Sequence, residues 1–272
     1  MSDELKITIL GCGSSGGVPR IGNDWGDCDP TNPKNRRLRC SILLERSGQD
    51  GTTTVLIDTG PDMRQQVLEA GVSRLDAVIY THAHADHLHG IDDLRQFAML
   101  QRDKIPVYMG GYTYERAQQS FGYCFQTPQG SNYPPILARQ PLVPGEEISI
   151  TGKGGTIELL PVEVIHGEIA AFGFRFHDVA YLPDVSDIPD SAVSAFAGLK
   201  LWILDCLRPT PHPSHFHLET TLEWISRLRP ANAILTNLHN ALDYEKLDQM
   251  TPETVHPAFD GLQLTFSVPE QH

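Results

Sequence analysis

Residues 81–90 read Thr-His-Ala-His-Ala-Asp-His-Leu-His-Gly, which puts four histidines and one aspartate into ten residues. The run follows the strand-like "RLDAVIY" and precedes "LHGIDDLRQFAML", which has helical spacing. The cluster therefore sits at the C-terminal end of a strand, where α/β sheets place their ligands. An ordinary loop gains nothing from such crowding, whereas a metal ion gives each imidazole lone pair a partner. His82 and His84 meet one point if the turn between them is tight. Asp86 and His87 are adjacent and diverge, so two divalent ions are expected, with zinc or manganese suited to the donors. His89 is expected to support a ligand from behind or to lie exposed.

Two ions need more ligands than this segment supplies. His166 follows "IELLPVEVI", Asp184 follows "VAYLP" and His239 follows "ANAILTNL", each just past an apolar run. The expected ligand set is His82, His84, Asp86, His87, His166, Asp184 and His239.

Strand-like runs recur at 6–10, 41–45, 54–58, 77–80, 106–109, 147–150, 156–165, 172–176, 199–205, 233–236 and 262–266. Helical spacing marks 62–70, 89–100, 112–121, 191–196, 219–227 and 244–250. Strands follow strands in the middle, and strands alternate with helices in the last third. The expected fold class is α/β (α+β), with two sheets covered by helices in one domain over 1–272. Two aperiodic segments, 11–39 and 122–135, are too long for simple connections, and the first is expected to form an ordered pocket rim. It opens with Gly11-Cys12-Gly13-Ser14-Ser15-Gly16, which fits G-x-G-x-x-G. The sequence then continues Gly17-Val18-Pro19, against the helix that a dinucleotide needs. A tight loop that brings backbone close to an anionic ligand is the better expectation.

The 272-residue chain carries a formal net charge of −13. Such a surface repels phosphate backbones, so no extended nucleic-acid surface is expected. The five cysteines are odd in number, scattered and without a CxxC pair, which speaks against a disulfide framework and for a reducing cytoplasm. No apolar run approaches the roughly 20 residues of a membrane helix, and "MSDELKITIL" reads as a first strand. The oligomeric state is left open, a homodimer included.

A second histidine-rich loop, His212-Pro213-Ser214-His215-Phe216-His217, follows the strand "KLWILDCL". Each of its three histidines can titrate near neutral pH and serve as an acid, while Ser214 can instead cap the next helix. Arg36, Arg37 and Arg39 lie together, and Arg20 closes the glycine loop. They offer forked donors for a phosphate, or else a solvated basic patch.

The pattern His82-x-His84-x-Asp86-His87, then His166, Asp184 and His239, resembles the metallo-β-lactamase superfamily over nearly the whole chain. The resemblance implies a four-layer αββα sandwich, Asp184 shared between the two ions, and Asp58 of "TVLIDTGPD" orienting a ligand from behind. More narrowly, "GCGSSGGVP", "NRRLRCS", "VAYLPDVSDIP", "HPSHFHLE" and "ILTNLHNALDY" resemble the PhnP-type phosphoribosyl cyclic phosphodiesterases. That likeness points to His215 as general acid. Asp86 is also expected to be catalytic, and Ser15, Gly16, Arg20 and Arg39 are the expected substrate contacts. Two departures stand out. Only Cys28 and Cys40 lie near the first loop, so no structural zinc is expected. Asn237 also follows the threonine of the last motif where those enzymes carry histidine, which leaves His239 as the expected ligand.

The expected activity is hydrolysis of a small cyclic phosphodiester by a metal-bridged hydroxide. Alternatives are a tRNA 3′-processing endoribonuclease and a pyrroloquinoline quinone accessory-type protein.

Overall fold

The structure, a computed structural model, describes residues 4–267. Its strands are β1 (Glu4–Gly11), β2 (Ser41–Gly48), β3 (Gly51–Ile57), β4 (Ala77–Ile79), β5 (Ile105–Met109), β6 (Leu137–Pro141), β7 (Ile148–Gly152), β8 (Gly155–His166), β9 (Ile169–Phe176), β10 (Val179–Leu182), β11 (Leu201–Asp205), β12 (Asn232–Thr236), β13 (Val255–Pro257) and β14 (Gln263–Ser267). Its helices are α1 (Met63–Glu69), α2 (Ala85–Leu88), α3 (Leu94–Gln101), α4 (Gly111–Phe125), α5 (Asp190–Val193), α6 (Leu218–Leu228) and α7 (Tyr244–Met250). One sheet runs β14-β1-β2-β3-β4-β5-β6 and the other β13-β12-β11-β10-β9-β8-β7.

Period-two patterning builds four layers. Ile42 and Leu44 of β2 and Val55 and Ile57 of β3 point between the sheets, against Phe174, Tyr181 and Ile203. Leu43 and Leu56, one residue out of phase, point the other way and pack under Leu94 and Phe97 of α3. On the second sheet, Ala180, Leu182, Trp202 and Leu204 face outward toward Phe216, Trp224 and Ile225. Central strands buried on both faces explain the near-continuous apolar runs of the sequence. The αββα sandwich is the expected architecture.

Three strands escaped the sequence, among them the four-residue β10. In β6, "LARQP" lacks apolar alternation and ends in proline, as suits an edge strand. β13 is only three residues long. The span 89–100 expected to be one helix instead follows the short α2 and holds a 3₁₀ turn at Ile91–Asp93 and then α3. Gly90 is required between them, because a Cβ there would stand 2.3 Å from the carbonyl oxygen of Gly60. α4 continues through a kink at Phe121 into the segment expected to be aperiodic.

No α-helix follows the glycine motif. Residues 12–40 form turns, isolated bridges such as Val18 with Arg37, and one 3₁₀ turn at Pro33–Asn35. Gly11 is required at the entrance, since a Cβ would meet Arg39 O at 2.1 Å. The loop is braced to the far end of the chain. Buried Arg37 donates from Nη2 to Leu242 O (2.8 Å) and from Nη1 to His239 O (3.3 Å), so it is no solvated cation. Asp260 accepts from the backbone N–H groups of Leu38 (2.6 Å) and Cys12 (3.0 Å). The brace makes the loop an ordered rim, as its composition suggested. Cys28 Sγ and Cys40 Sγ lie against Leu242 O and Thr236 Oγ1 respectively. Among the described residues, no helix is long and apolar enough to cross a membrane.

Candidate metal centre

Six strand ends meet at one edge of the two sheets. Asp58 follows β3, residues 81–90 follow β4, and His166 ends β8. Asp184 lies two residues past β10, Asp205 ends β11, and Asn237 follows β12. All of these strands except β8 take part in parallel pairs, so their C-terminal ends open on the same side.

The side chains converge in two groups. His82, His84 and His166 present ring nitrogens within 4.8 Å of one another. His166 Nε2 lies 3.2 Å from His84 Nδ1, and Asp184 Oδ2 lies 3.7 Å from His82 Nε2 and 3.6 Å from His166 Nε2. The second group turns on the other oxygen of the same carboxylate: His87 Nε2 lies 3.4 Å from Asp184 Oδ1 and 3.5 Å from Asp86 Oδ2. Donors held about 2.0–2.2 Å from a common ion at tetrahedral angles stand about 3.3–3.6 Å apart. The spacing fits divalent ions, and Asp184 belongs to both groups.

Burial supports the fit. His82 Nε2 is buried with no hydrogen-bond partner, a costly state for a lone pair unless an ion satisfies it. The ring orientations are held from behind, as metal-ligating histidines require. His87 Nδ1–H donates to Asp58 Oδ2 at 2.7 Å, and His166 Nδ1–H donates to Ser214 O at 2.6 Å. Thr81 Oγ1 donates to Asp58 Oδ2 (2.7 Å) and so is left to accept from His82 Nδ1–H (3.0 Å). All three rings thus turn their Nε2 lone pairs inward. Asp58 itself sits at φ 65° and is wholly buried, a strained position of the kind found at functional sites.

The electrostatics match. Burial lowers the His82 imidazole well below its ordinary range and lowers His166 as well. Burial also acts to lower His87, but the carboxylates of Asp184, Asp86 and Asp58 outweigh it and raise that imidazole well above its usual value. Asp184 is driven the other way: burial opposes its charge, yet His87, His215 and His82 hold it well below the carboxylate range. A proton held at His87 is what a divalent cation displaces on binding.

His215 joins the cluster from the second histidine loop. Its Nδ1 lies 2.9 Å from Asp205 Oδ2 and 4.0 Å from Asp184 Oδ2. Burial opposes protonation, but Asp205 and then Asp184 raise His215 to about 9. Burial raises Asp205 to about 6, against the pull of His215. Of the three histidines that the sequence left open, His215 is grouped with His166 and Asp184. His212 lines the same cleft, and His217 bonds Thr220 Oγ1 at the start of α6. Ser214 caps no helix, since the N-cap is His217. Asp205 was not singled out from the sequence, although it ends an apolar run just as Asp184 follows one.

His239 departs from expectation. It lines the cleft and, like Asp86, lies outside the tightest histidine–aspartate groups of the described residues. Its Nδ1 accepts the N–H of Ala241 (3.0 Å), and its own N–H is tied to Leu207 O (2.9 Å). The turn after β12, entered through Asn237 at φ 60°, carries it aside. Asn237 occupies the place instead, with Nδ2 3.1 Å from Asp205 Oδ1 and 3.5 Å from Asp184 Oδ1. His89 is exposed, with its ring edge-on to Phe121.

The groups floor a cleft of about 270 Å³ that Ser14, Ser15, Arg20 and Arg208 also line. Among the described residues, Ser14 Oγ and Arg20 Nε are buried without hydrogen-bond partners. Gly16 and Arg39 instead line a neighbouring cavity that shares Arg20. Arg39 is already engaged by Asp62 (2.9 Å) and Ser15 O (2.9 Å), so it shapes the rim.

Residues 53–237 match the beta-lactamase superfamily domain. The chain superposes on the crystal structure of a diphosphatase from the PhnP family with TM-score 0.86 and 35% identity, covering 98% of each chain. It is 29% identical over 263 residues to an octanoyltransferase of Porphyromonas gingivalis, which is 95% of this chain and 51% of that protein. It is 30% identical over 183 residues to a ribonuclease Z of Salinibacter ruber, 63% of this chain and 47% of that one. The chain thus spans about half the length of the curated relatives it matches. By its family match, its fold and this histidine–aspartate centre, the chain belongs to the metallo-β-lactamase superfamily and, within it, to the PhnP family.

Proposed function

We propose that the protein is a divalent-metal-dependent phosphodiesterase whose substrate is a small cyclic phosphodiester of ribose or of a nucleoside. The observation that carries this reading is Asp184, whose two oxygens face the two ligand groups separately. His82, His84, His166 and Asp184 would hold one ion, and Asp86, His87 and Asp184 a second. When bound, such ions supply Lewis acidity that makes water nucleophilic near neutral pH and offsets charge developing on phosphate oxygens.

The chain's own residues do the rest. Arg20 and Ser15 at the rim bind non-bridging phosphate oxygens and orient the ester. Asp86 takes up the proton that the attacking water gives up, through Oδ1, the oxygen not turned to His87 Nε2. His215, held by Asp205, donates its proton to the leaving alkoxide. The small cleft and the −13 net charge favour a compact substrate over a long nucleic acid.

The test is hydrolysis of 2′,3′-cyclic nucleotides and of bis-p-nitrophenyl phosphate, with and without chelator. Chelator-sensitive turnover of these small diesters supports the reading. Cleavage of a tRNA precursor without such turnover replaces it with the endoribonuclease reading. A tightly held iron with oxygen-dependent chemistry replaces it with the pyrroloquinoline quinone accessory-type reading.

A further inference from the structure

The two ligand groups are not equivalent. The first offers three imidazole nitrogens, from His82, His84 and His166, and one oxygen of Asp184. The second offers one imidazole, His87, and two carboxylates, Asp86 and Asp184. Beside Asp184 Oδ1, where a further donor would complete the second group, stands Asn237.

The Asn237 amide is turned so that it cannot serve as that donor. Its Nδ2 donates to Asp205 Oδ1 at 3.1 Å and points toward Asp184 Oδ1 at 3.5 Å. A carboxamide nitrogen has no lone pair to give a metal. The same Nδ2 also stands 3.1 Å from His215 Nδ1; a flip would let Oδ1 accept from that ring but would set it against two carboxylate oxygens, of Asp205 and Asp184, in place of the donor they now face. His239 cannot substitute, because its Nδ1 is used by the Ala241 N–H. In this neutral tautomer the remaining nitrogen carries the proton.

The structure assigns the two positions to different ions: a tightly held zinc-class ion on the nitrogen-rich group, and a weakly held, exchangeable harder cation such as Mn²⁺ on the oxygen-rich group, with Asn237 setting the difference. The chemistry follows donor type, since imidazole suits zinc while carboxylate suits manganese and magnesium. The inference rests on the metal-dependent reading above and refines it.

The experiment is metal analysis of the full chain after dialysis, followed by Mn²⁺ titration read by electron paramagnetic resonance, with activity left aside. One retained zinc equivalent is expected, with a further Mn²⁺ equivalent bound about 100-fold or more weakly, on the scale by which a lost partner weakens a site. Asn237→His and Asn237→Asp should each convert the weak position into one that survives dialysis. All three residue types tolerate the left-handed backbone at this position. Retention of two equal equivalents by the unsubstituted chain would overturn the inference while leaving the metal-dependent reading intact. Metal content no higher than that of a His82→Ala/His166→Ala variant would overturn both. The unsubstituted chain decides the matter even where a variant fails to fold.

Discussion

His215 Nδ1 lies 2.9 Å from Asp205 Oδ2, and Asp205 is wholly buried at the end of β11. The carboxylate sets the ring's tautomer and direction, so that Nε2 is free for the cleft. Asp205 also accepts the backbone N–H of Val185 (3.1 Å), one residue after Asp184. One buried side chain thereby ties the acid candidate to the segment that carries Asp184.

If His215 protonates the leaving group, its importance depends on that group. His215→Ala is expected to lower kcat on alkyl or ribosyl diesters by about 100-fold or more. A p-nitrophenolate leaves without a proton, so the loss on bis-p-nitrophenyl phosphate should be far smaller. Equal losses on both substrates, read from steady-state kinetics, would instead assign His215 a structural role.

Asp58 grips His87 Nδ1 at 2.7 Å from a strained backbone, and asparagine tolerates that backbone. Asp58→Asn should therefore fold while losing the charge that orients the ring. Metal affinity is expected to fall about 10–100-fold, measurable by calorimetric titration.

The unpaired His82 Nε2 and the opposed charges of the centre predict that metal stabilises the fold. An ion present at about 100 times its dissociation constant adds about 2.7 kcal/mol. Thermal melts should drop by several degrees in chelator and recover when Zn²⁺ or Mn²⁺ is restored.

Asp260 links stability to pH away from the centre. Burial raises its carboxyl to about 7 from an ordinary 3.8, despite the donors at Leu38 and Cys12. A raised acid favours the protonated folded form. Its contribution is complete below about pH 4 and is lost as pH climbs toward about 7. Asp260→Asn should flatten that part of the urea-denaturation profile, by at most a few kcal/mol. An unchanged slope would show that Asp260 does not titrate there.

Much of the centre was legible because its ligands obey local rules. Residues 81–90 form a cluster no core would tolerate, and His166 and Asp184 stand just past apolar runs. The two helix-covered sheets were legible from the order of strand and helix patterns and from unbroken apolar runs such as Ile42, Leu43 and Leu44, which suit strands buried on both faces. β6 was hidden because an edge strand needs little apolar patterning, and the close approach that requires Gly90 was hidden because it is to the distant carbonyl of Gly60.

The sequence by itself determined the fold class and most of the histidines and aspartates that gather at the strand ends. Only tertiary structure put Asn237 beside Asp184 and Asp205 while His239 is turned to Ala241, and His215 beside Asp205. The reason is physical: periodicity records which face of an element is buried, but not where a turn aims its next side chain. That aim depends on the left-handed backbone at Asn237, the Ala241 N–H that holds His239, and the buried Asp205 that holds both Asn237 and His215. Those partners are 32 and 10 residues from Asp205 along the chain, and no local pattern records such a pairing.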